Sequence, residues 1–208
     1  MTVKVMVLYY SMYGNTFIMA KEICNGIEEE EGIPILRTVP ELLPQEIINK
    51  NERIKKAKEL QKDIKIVTLD EFRDIDGLIV GSPTRFGNMC SQLRNFLDQT
   101  GPLWAEGILV NKPVGFFTCS ATIHGGQETT LISMMFTFLH HGAIIVGIPY
   151  TVKELIETER GGTPYGATAV VGVNSDINPS KIELKIAKEL GRRITSIAKK
   201  LKKGEKDE

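Results

Sequence analysis

Residues 11–16 combine a glycine with hydroxyl and amide side chains, between an apolar run and an amphipathic helical pattern. A helix that begins here presents free backbone N–H groups and a partial positive charge, which suit a phosphate group. None of the six residues is basic, so dipoles would have to hold the phosphate. The same segment could equally form a capping turn that binds nothing. Its residues are Ser11, Met12, Tyr13, Gly14, Asn15 and Thr16.

Two later segments could contact a flat ring. Thr84, Arg85 and Phe86 follow an apolar run, and an arginine and an aromatic residue there can pack along a heterocycle. Residues 119–126 are small and rich in hydroxyl groups, so their backbone N–H groups could meet a ring edge. The alternatives are a capped turn with a surface arginine and a flexible connection. The predicted contacts are Pro83, Thr84, Arg85, Phe86 and Gly87, and then Cys119, Ser120, Ala121, Thr122, Ile123, His124 and Gly125.

The histidines and the single tryptophan are ambiguous candidates. His140 and His141 fall in the last turn of a predicted helix, where a histidine interacts favourably with the helix dipole. Such a pair is more often structural than catalytic. Trp104 follows a Gly-Pro turn and could simply fill a small satellite core.

Several other kinds of site are disfavoured. The three cysteines, Cys24, Cys90 and Cys119, are far apart and form no C-x-x-C pair, which argues against a disulfide framework and a zinc or iron–sulfur site. Neither G-x-G-x-x-G nor the P-loop motif is present, so a Rossmann dinucleotide site and a P-loop are disfavoured.

The bulk composition indicates an ordinary globular protein. The 208 residues include 26 basic and 26 acidic side chains, so no global field attracts nucleic acid or an anionic membrane. No apolar stretch is long enough to span a membrane, and the N-terminal residues do not resemble a signal peptide. We therefore expect a cytoplasmic protein without membrane insertion.

The elements that must position these segments follow an α/β pattern. Five apolar runs, at residues 3–9, 33–39, 77–82, 114–120 and 143–148, alternate with amphipathic helical patterns. Continuous apolar strands of this kind predict a doubly wound parallel sheet with helices on both faces. Ligands of such folds bind at the carboxyl ends of the strands, so the loops after the first, third and fourth strands are the predicted site.

We expect one domain over residues 1–203. Two insertions interrupt its α/β pattern. Residues 41–72 are strongly charged, which favours a solvated helix over an interaction tail. Residues 149–178 are glycine-rich and contain one further potential strand, TAVVGV. Ser180 and Glu183 form a capping box that opens a last helix, and residues 204–208 are expected to be a frayed tail.

Together, these segments resemble the WrbA family of flavodoxin-like NAD(P)H:quinone oxidoreductases. The matching stretches run from residue 7 to about residue 168, and PTRFGNM and GGTPYGAT are the most specific. The others are LYYSMYGN, GSPTRFGNM, LRNFLDQTGPLW, HGGQETTL, LHHG and VGIPY. Departures occur at Asn15-Thr16, at Ile123-His124 and in the longer charged stretch near residues 49–66, which we expect to lie away from the flavin.

The resemblance implies a flavodoxin-like five-stranded sheet that binds FMN. Residues 11–16 would wrap the FMN phosphate, residues 83–87 and 119–125 would contact the ring and ribityl chain, and His140 would be a catalytic residue at the pyrimidine edge. Tyr13 would border the nicotinamide site and Trp104 the quinone pocket. The family also implies a homotetramer in which neighbours close each pocket, and ping-pong hydride transfer from NAD(P)H to a quinone.

Two other functions remain open from the sequence. One is a flavodoxin-like carrier of single electrons, although the balanced charge lacks the acidic bias typical of such carriers. The other is a flavin-bound module that acts on a partner protein.

Overall fold

The structure, a computed structural model, describes residues 2–207. Its centre is a parallel β-sheet in the order β2-β1-β3-β4-β5. The strands are β1 (Lys4–Tyr9), β2 (Ile33–Thr38), β3 (Gly77–Pro83), β4 (Pro113–Ser120), β5 (Ile144–Ile145) and β6 (Ala167–Val170). The predicted doubly wound fold is confirmed.

Helices cover both faces of this sheet. The longer ones are α1 (Asn15–Glu29), α6 (Gln127–His140) and α8 (Lys181–Asp207). The shorter ones are α2 (Gln45–Lys50), α3 (Glu52–Glu59), α4 (Ser91–Leu97), α5 (Gly101–Ala105) and α7 (Glu154–Glu157), besides 3-10 turns at Asp70–Asp74 and Asp98–Thr100.

Strand alternation divides the core into two layers. Val5 and Val7 of β1 pack with α1 and α8 on one face, whereas Met6 and Leu8 pack with α4 and α6 on the other. Because the strands are parallel, their carboxyl ends meet at one edge of the sheet, where the loops after β1, β3 and β4 lie together.

The fifth position of the sheet is divided between two strands. β5 pairs with Pro113 and Val114 at the start of β4, and β6 pairs with the stretch from Phe117 to Ser120 at its end. The run predicted as strand 143–148 is therefore shorter than expected, because the glycine-rich insertion leaves the sheet before β6 re-enters it. The further strand expected within residues 149–178 is present.

The predicted start of the last helix agrees with the structure. The capping box is formed, with Ser180 N–H donating to Glu183 Oε2 at 2.6 Å and Glu183 N–H donating to Ser180 Oγ at 3.2 Å. Helix α1 ends at Glu29. Gly32, which follows it, allows close packing, because a Cβ there would lie 2.7 Å from Cγ2 of Thr195.

The charged insertion folds as helices, as predicted. Asn51 separates α2 from α3, and its side chain accepts hydrogen bonds from the N–H groups of Arg53 and Ile54. Ile54 and Ala57 are buried while the lysines of α3 point outward or half outward.

The last helix continues through Asp207 and so includes most of residues 204–208. Glu208 lies outside the described residues, and fraying of the tail stays a prediction. Within residues 2–207, no helix is long and apolar enough to cross a membrane.

Candidate functional site

A cavity of about 430 Å³ opens at the carboxyl ends of β1, β3 and β4. All three segments predicted from the sequence contribute to it. The predicted residues that line it are Ser11, Met12, Tyr13, Asn15, Thr16, Pro83, Thr84, Arg85, Cys119, Ser120 and Ala121.

The loop after β1 presents unsatisfied donors to this cavity. Gly14 precedes α1 in a left-handed conformation, φ +94°, and its N–H donates to Ser11 Oγ at 3.1 Å. The first bond into the helix runs from Ile18 N–H to the Gly14 carbonyl, so the N–H groups of the first turn have no acceptor within α1. No acidic residue lies in that turn. The loop therefore favours an anion.

The charged insertion packs against the same loop. Lys58 Nζ donates to the Ser11 carbonyl at 3.3 Å, and Gln61 Nε2 lies 3.4 Å from that oxygen. Ala57 Cβ lies 3.7 Å from the position that a Cβ on Gly14 would occupy. Helix α3 therefore contacts the loop predicted to hold the flavin phosphate, so this part of the stretch lies beside the predicted site.

A partly buried polar network anchors that contact. Glu41 pairs with Lys58 and accepts hydrogen bonds from Tyr10 Oη and Gln92 Nε2. Burial of Glu41 acts to raise its pKa, but hydrogen bonds from Lys58 and the Leu43 N–H more than offset this and hold the pKa below its usual value. Burial and the adjacent Glu41 raise the pKa of Tyr10 well above its usual range.

The loops after β3 and β4 are joined to each other. Thr84 N–H donates to the Cys119 carbonyl at 3.0 Å, and Thr130 Oγ1 donates to Thr84 Oγ1 at 2.7 Å. Arg85 donates to the Thr84 carbonyl at 2.9 Å and places Nη2 3.6 Å from Met12 Sδ. Its guanidinium therefore bridges two of the three segments.

Eight predicted contact residues lie outside the cavity lining. Phe86 is fully exposed with φ +52°, so its ring does not enter the cavity, and Ile123 and His124 are exposed on the loop after β4. Gly14 acts through its backbone conformation. The full set is Gly14, Phe86, Gly87, Thr122, Ile123, His124, Gly125 and His140.

Three residues of the cavity lining are not predicted from the sequence. Val171, Val173 and Ser175 enter the cavity from the segment after β6, and Ser175 accepts a 2.8 Å hydrogen bond from Asn15 Nδ2. The TAVVGV run was a signal for them, because a sixth parallel strand must end at the same edge of the sheet.

His140 and Trp104 line a different cleft, of about 640 Å³, between α4, α5 and α6. His141 is buried there, and its Nε2 donates to Thr100 Oγ1 at 2.9 Å, since that hydroxyl donates to the Leu97 carbonyl. Burial lowers the pKa of His141, and so does the neighbouring His140. Within one chain, His140 and Trp104 therefore lie outside the cavity formed by the loops.

Cys119 does not supply a reactive thiol. Its side chain is buried, Sγ lies 3.4 Å from Met19 Sδ, and burial raises the pKa of the thiol to about 12. All three cysteines are free, and the described residues contain no cluster of three or more His, Cys, Asp or Glu side chains that could hold a metal ion.

A family model described as NADPH-dependent FMN reductase matches residues 3–154. The chain belongs to this family. Solved structures share the fold of this chain: a WrbA-like flavodoxin from Agrobacterium tumefaciens superposes with a TM-score of 0.65 at 22% identity, covering 95% of this chain and 98% of that one. An archaeal flavodoxin gives a TM-score of 0.61 at 21% identity over 94% and 99% of the two chains.

Curated relatives of this FMN reductase family member are more similar in sequence. A protein of Solidesulfovibrio magneticus is 44% identical over 95% of this chain and 98% of its own length, and one of Geotalea daltonii is 45% identical over the same shares. Both are named NAD(P)H dehydrogenase (quinone). The resemblance to WrbA-like proteins is confirmed.

Proposed function

We propose that the protein is an FMN-dependent NAD(P)H dehydrogenase that reduces quinones. The cavity at the carboxyl ends of β1, β3 and β4 carries this proposal, because three loops from separate parts of the sequence converge on it. The names of relatives at 43–45% identity supply the substrate class.

The donor set fits the phosphate of FMN. Ser11, Asn15 and Thr16 are almost fully buried and surround free N–H groups at the start of α1. The loop forms one phosphate niche, and the described residues show no glycine-rich pyrophosphate loop. This favours a mononucleotide over a dinucleotide flavin.

The opposite part of the cavity fits the flavin ring. Thr84 and Arg85 lie beside the end of β4 and the residue after it, where Cys119, Ser120 and Ala121 offer small side chains at the cavity wall. When bound, FMN supplies hydride chemistry, while the protein orients the substrates and excludes water. Arg85, fixed between the Thr84 carbonyl and Met12, is a positively charged group that favours electron-rich ligands here.

We further propose a homotetramer in which a neighbour completes each site. His140 and Trp104 have the predicted roles only if their cleft faces the cavity of another subunit. The cleft is lined by two exposed aromatic side chains, Trp104 and Phe136, and Leu139 is exposed on the same helix as Phe136; such apolar surface is typical of a contact surface. Cytoplasmic location and a single FMN-binding domain over residues 1–203 are part of the same proposal.

One assay tests the proposed function. Protein reconstituted with FMN should oxidise NADH or NADPH rapidly only when a benzoquinone is present, and initial rates at several fixed quinone concentrations should give parallel lines. Intersecting lines would contradict alternate use of one pocket. A flavin-loaded protein that passes single electrons to a carrier protein but ignores quinones would instead favour the electron-carrier alternative.

A further inference from the structure

A second cavity, of about 480 Å³, adjoins the first one. It lies between α3 and the loop of residues 173–176, and Tyr13, Val173 and Ser175 line both cavities. Its remaining lining residues are Asn51, Arg53, Asn174 and Asp176. The charged insertion therefore forms a wall of a cavity that shares three lining residues with the proposed flavin site.

Arg53 is the cation of this second cavity. Its Nη1 donates to the carbonyl of Asn174, and the guanidinium carbon lies 5.4 Å from the ring centroid of Tyr13. Within residues 2–207, no carboxylate forms an ion pair with it. The side chain is held in place by a carbonyl and a ring face, while its other N–H groups and its charge remain available to an anion.

The volume of the first cavity indicates which part of the substrate would reach Arg53. A cavity of about 430 Å³ suits one mononucleotide, so the larger part of a nicotinamide dinucleotide must extend beyond it. The second cavity begins at Tyr13, the residue expected to border the nicotinamide. The second cavity adjoins the first, so the phosphates of the dinucleotide can extend into it, away from the flavin.

We propose that Arg53 binds a phosphate group of NAD(P)H and so anchors the dinucleotide in the second cavity. This inference rests on the proposed function, but it concerns the charged insertion alone. An arginine suits the role because its planar guanidinium matches two phosphate oxygens at once.

The other polar groups of the cavity modulate this interaction. Asp176 opposes an anion, and the Asn51 side chain is already used to cap α3. With one cation and one carboxylate, the cavity gives moderate attraction, which is suited to a substrate that must leave after each turnover. Asp176→Asn should therefore lower KM for NADPH.

The test compares substrates with and without phosphate on the FMN-loaded enzyme. Arg53→Ala should raise KM for NADPH and NADH about tenfold, the usual effect of one lost charge-assisted hydrogen bond, without changing kcat. KM for dihydronicotinamide riboside, which has no phosphate, should stay unchanged. Lys56→Ala removes the same charge from the exposed face of α3 and should change none of these constants.

A binding measurement separates this role from a structural one. Calorimetric titration with NADP⁺ should show about tenfold weaker binding to Arg53→Ala, while FMN binds the variant and the wild type equally. Unchanged NADP⁺ binding, a parallel loss with the riboside, or an equal loss in Lys56→Ala would overturn the inference, and so would weaker FMN binding. In each case the wild type still reduces quinones; only failure of that reaction would refute the proposed function itself.

Discussion

At the scale of single residues, Gly14 connects backbone conformation to ligand binding. Its φ of +94° lies in the region that side chains rarely adopt, although a Cβ there would meet only Ala57, at 3.7 Å. Gly14→Val should therefore weaken FMN binding about tenfold through backbone strain of about 1–2 kcal/mol, rather than through a clash. Fluorescence titration measures this. Gly101→Ala, where a Cβ meets nothing within 4 Å, is the control and should bind FMN normally.

Glu41 is a second single residue with a testable effect, because it makes the stability of the fold depend on pH. Its folded-state pKa is held below the unfolded value, so it stabilises the fold fully above the unfolded pKa and loses this effect as the pH falls through the folded pKa. Glu41→Gln should lower the free energy of unfolding at about pH 7 and lower it by less at about pH 3, where more of the carboxyl is neutral. Urea denaturation at both pH values checks this. Glu46→Gln, an exposed change in α2, is the control; an equal loss from Glu41→Gln at both pH values would contradict the linkage.

At the scale of elements, α1 and α8 cross at glycines. A Cβ on Gly26 would lie 2.1 Å from the Lys188 carbonyl oxygen, so Gly26→Ala must push the helices apart. Overpacking of this kind costs about 1–3 kcal/mol, which chemical denaturation should detect. Gly204→Ala in α8 has open space around it and should leave stability nearly unchanged. Similar stability of the two variants would show that the crossing adapts freely.

The arrangement of helices and strands shows how much of the fold and of the candidate site the sequence predicts. Apolar runs give the strands, and parallel strands place the loops after β1, β3 and β4 together, so eleven predicted residues do line the cavity. The position of α3 was not predictable, because periodicity shows that Ile54 and Ala57 face a core but does not show which surface covers them. The outward direction of the Phe86 side chain depends on a positive φ, and the local sequence does not indicate that backbone conformation.

At the scale of the whole molecule, the two halves of the proposed active site occupy separate clefts of one chain. The loops around Ser11, Thr84 and Cys119 form the cofactor cavity, whereas His140 and Trp104 line the cleft beside α4 and α6. A monomer would then bind FMN without a complete quinone site. Light scattering should show a tetramer at working concentration, and a fully active monomer would refute the shared site.

Subunit mixing tests that arrangement directly. Gly14→Val impairs the cavity but leaves the cleft intact, and His140→Ala impairs the cleft but leaves the cavity intact. The two variants, each with low quinone reduction, are unfolded together and refolded as mixed assemblies. If each site combines the cavity of one subunit with the cleft of another, the mixed assemblies should regain quinone reduction. His140→Ala mixed with Trp104→Ala is the matched control, because both changes fall in the same cleft and no mixed assembly restores it. Recovery in neither mixture, although both form tetramers, would contradict a site that combines the cavity of one subunit with the cleft of another.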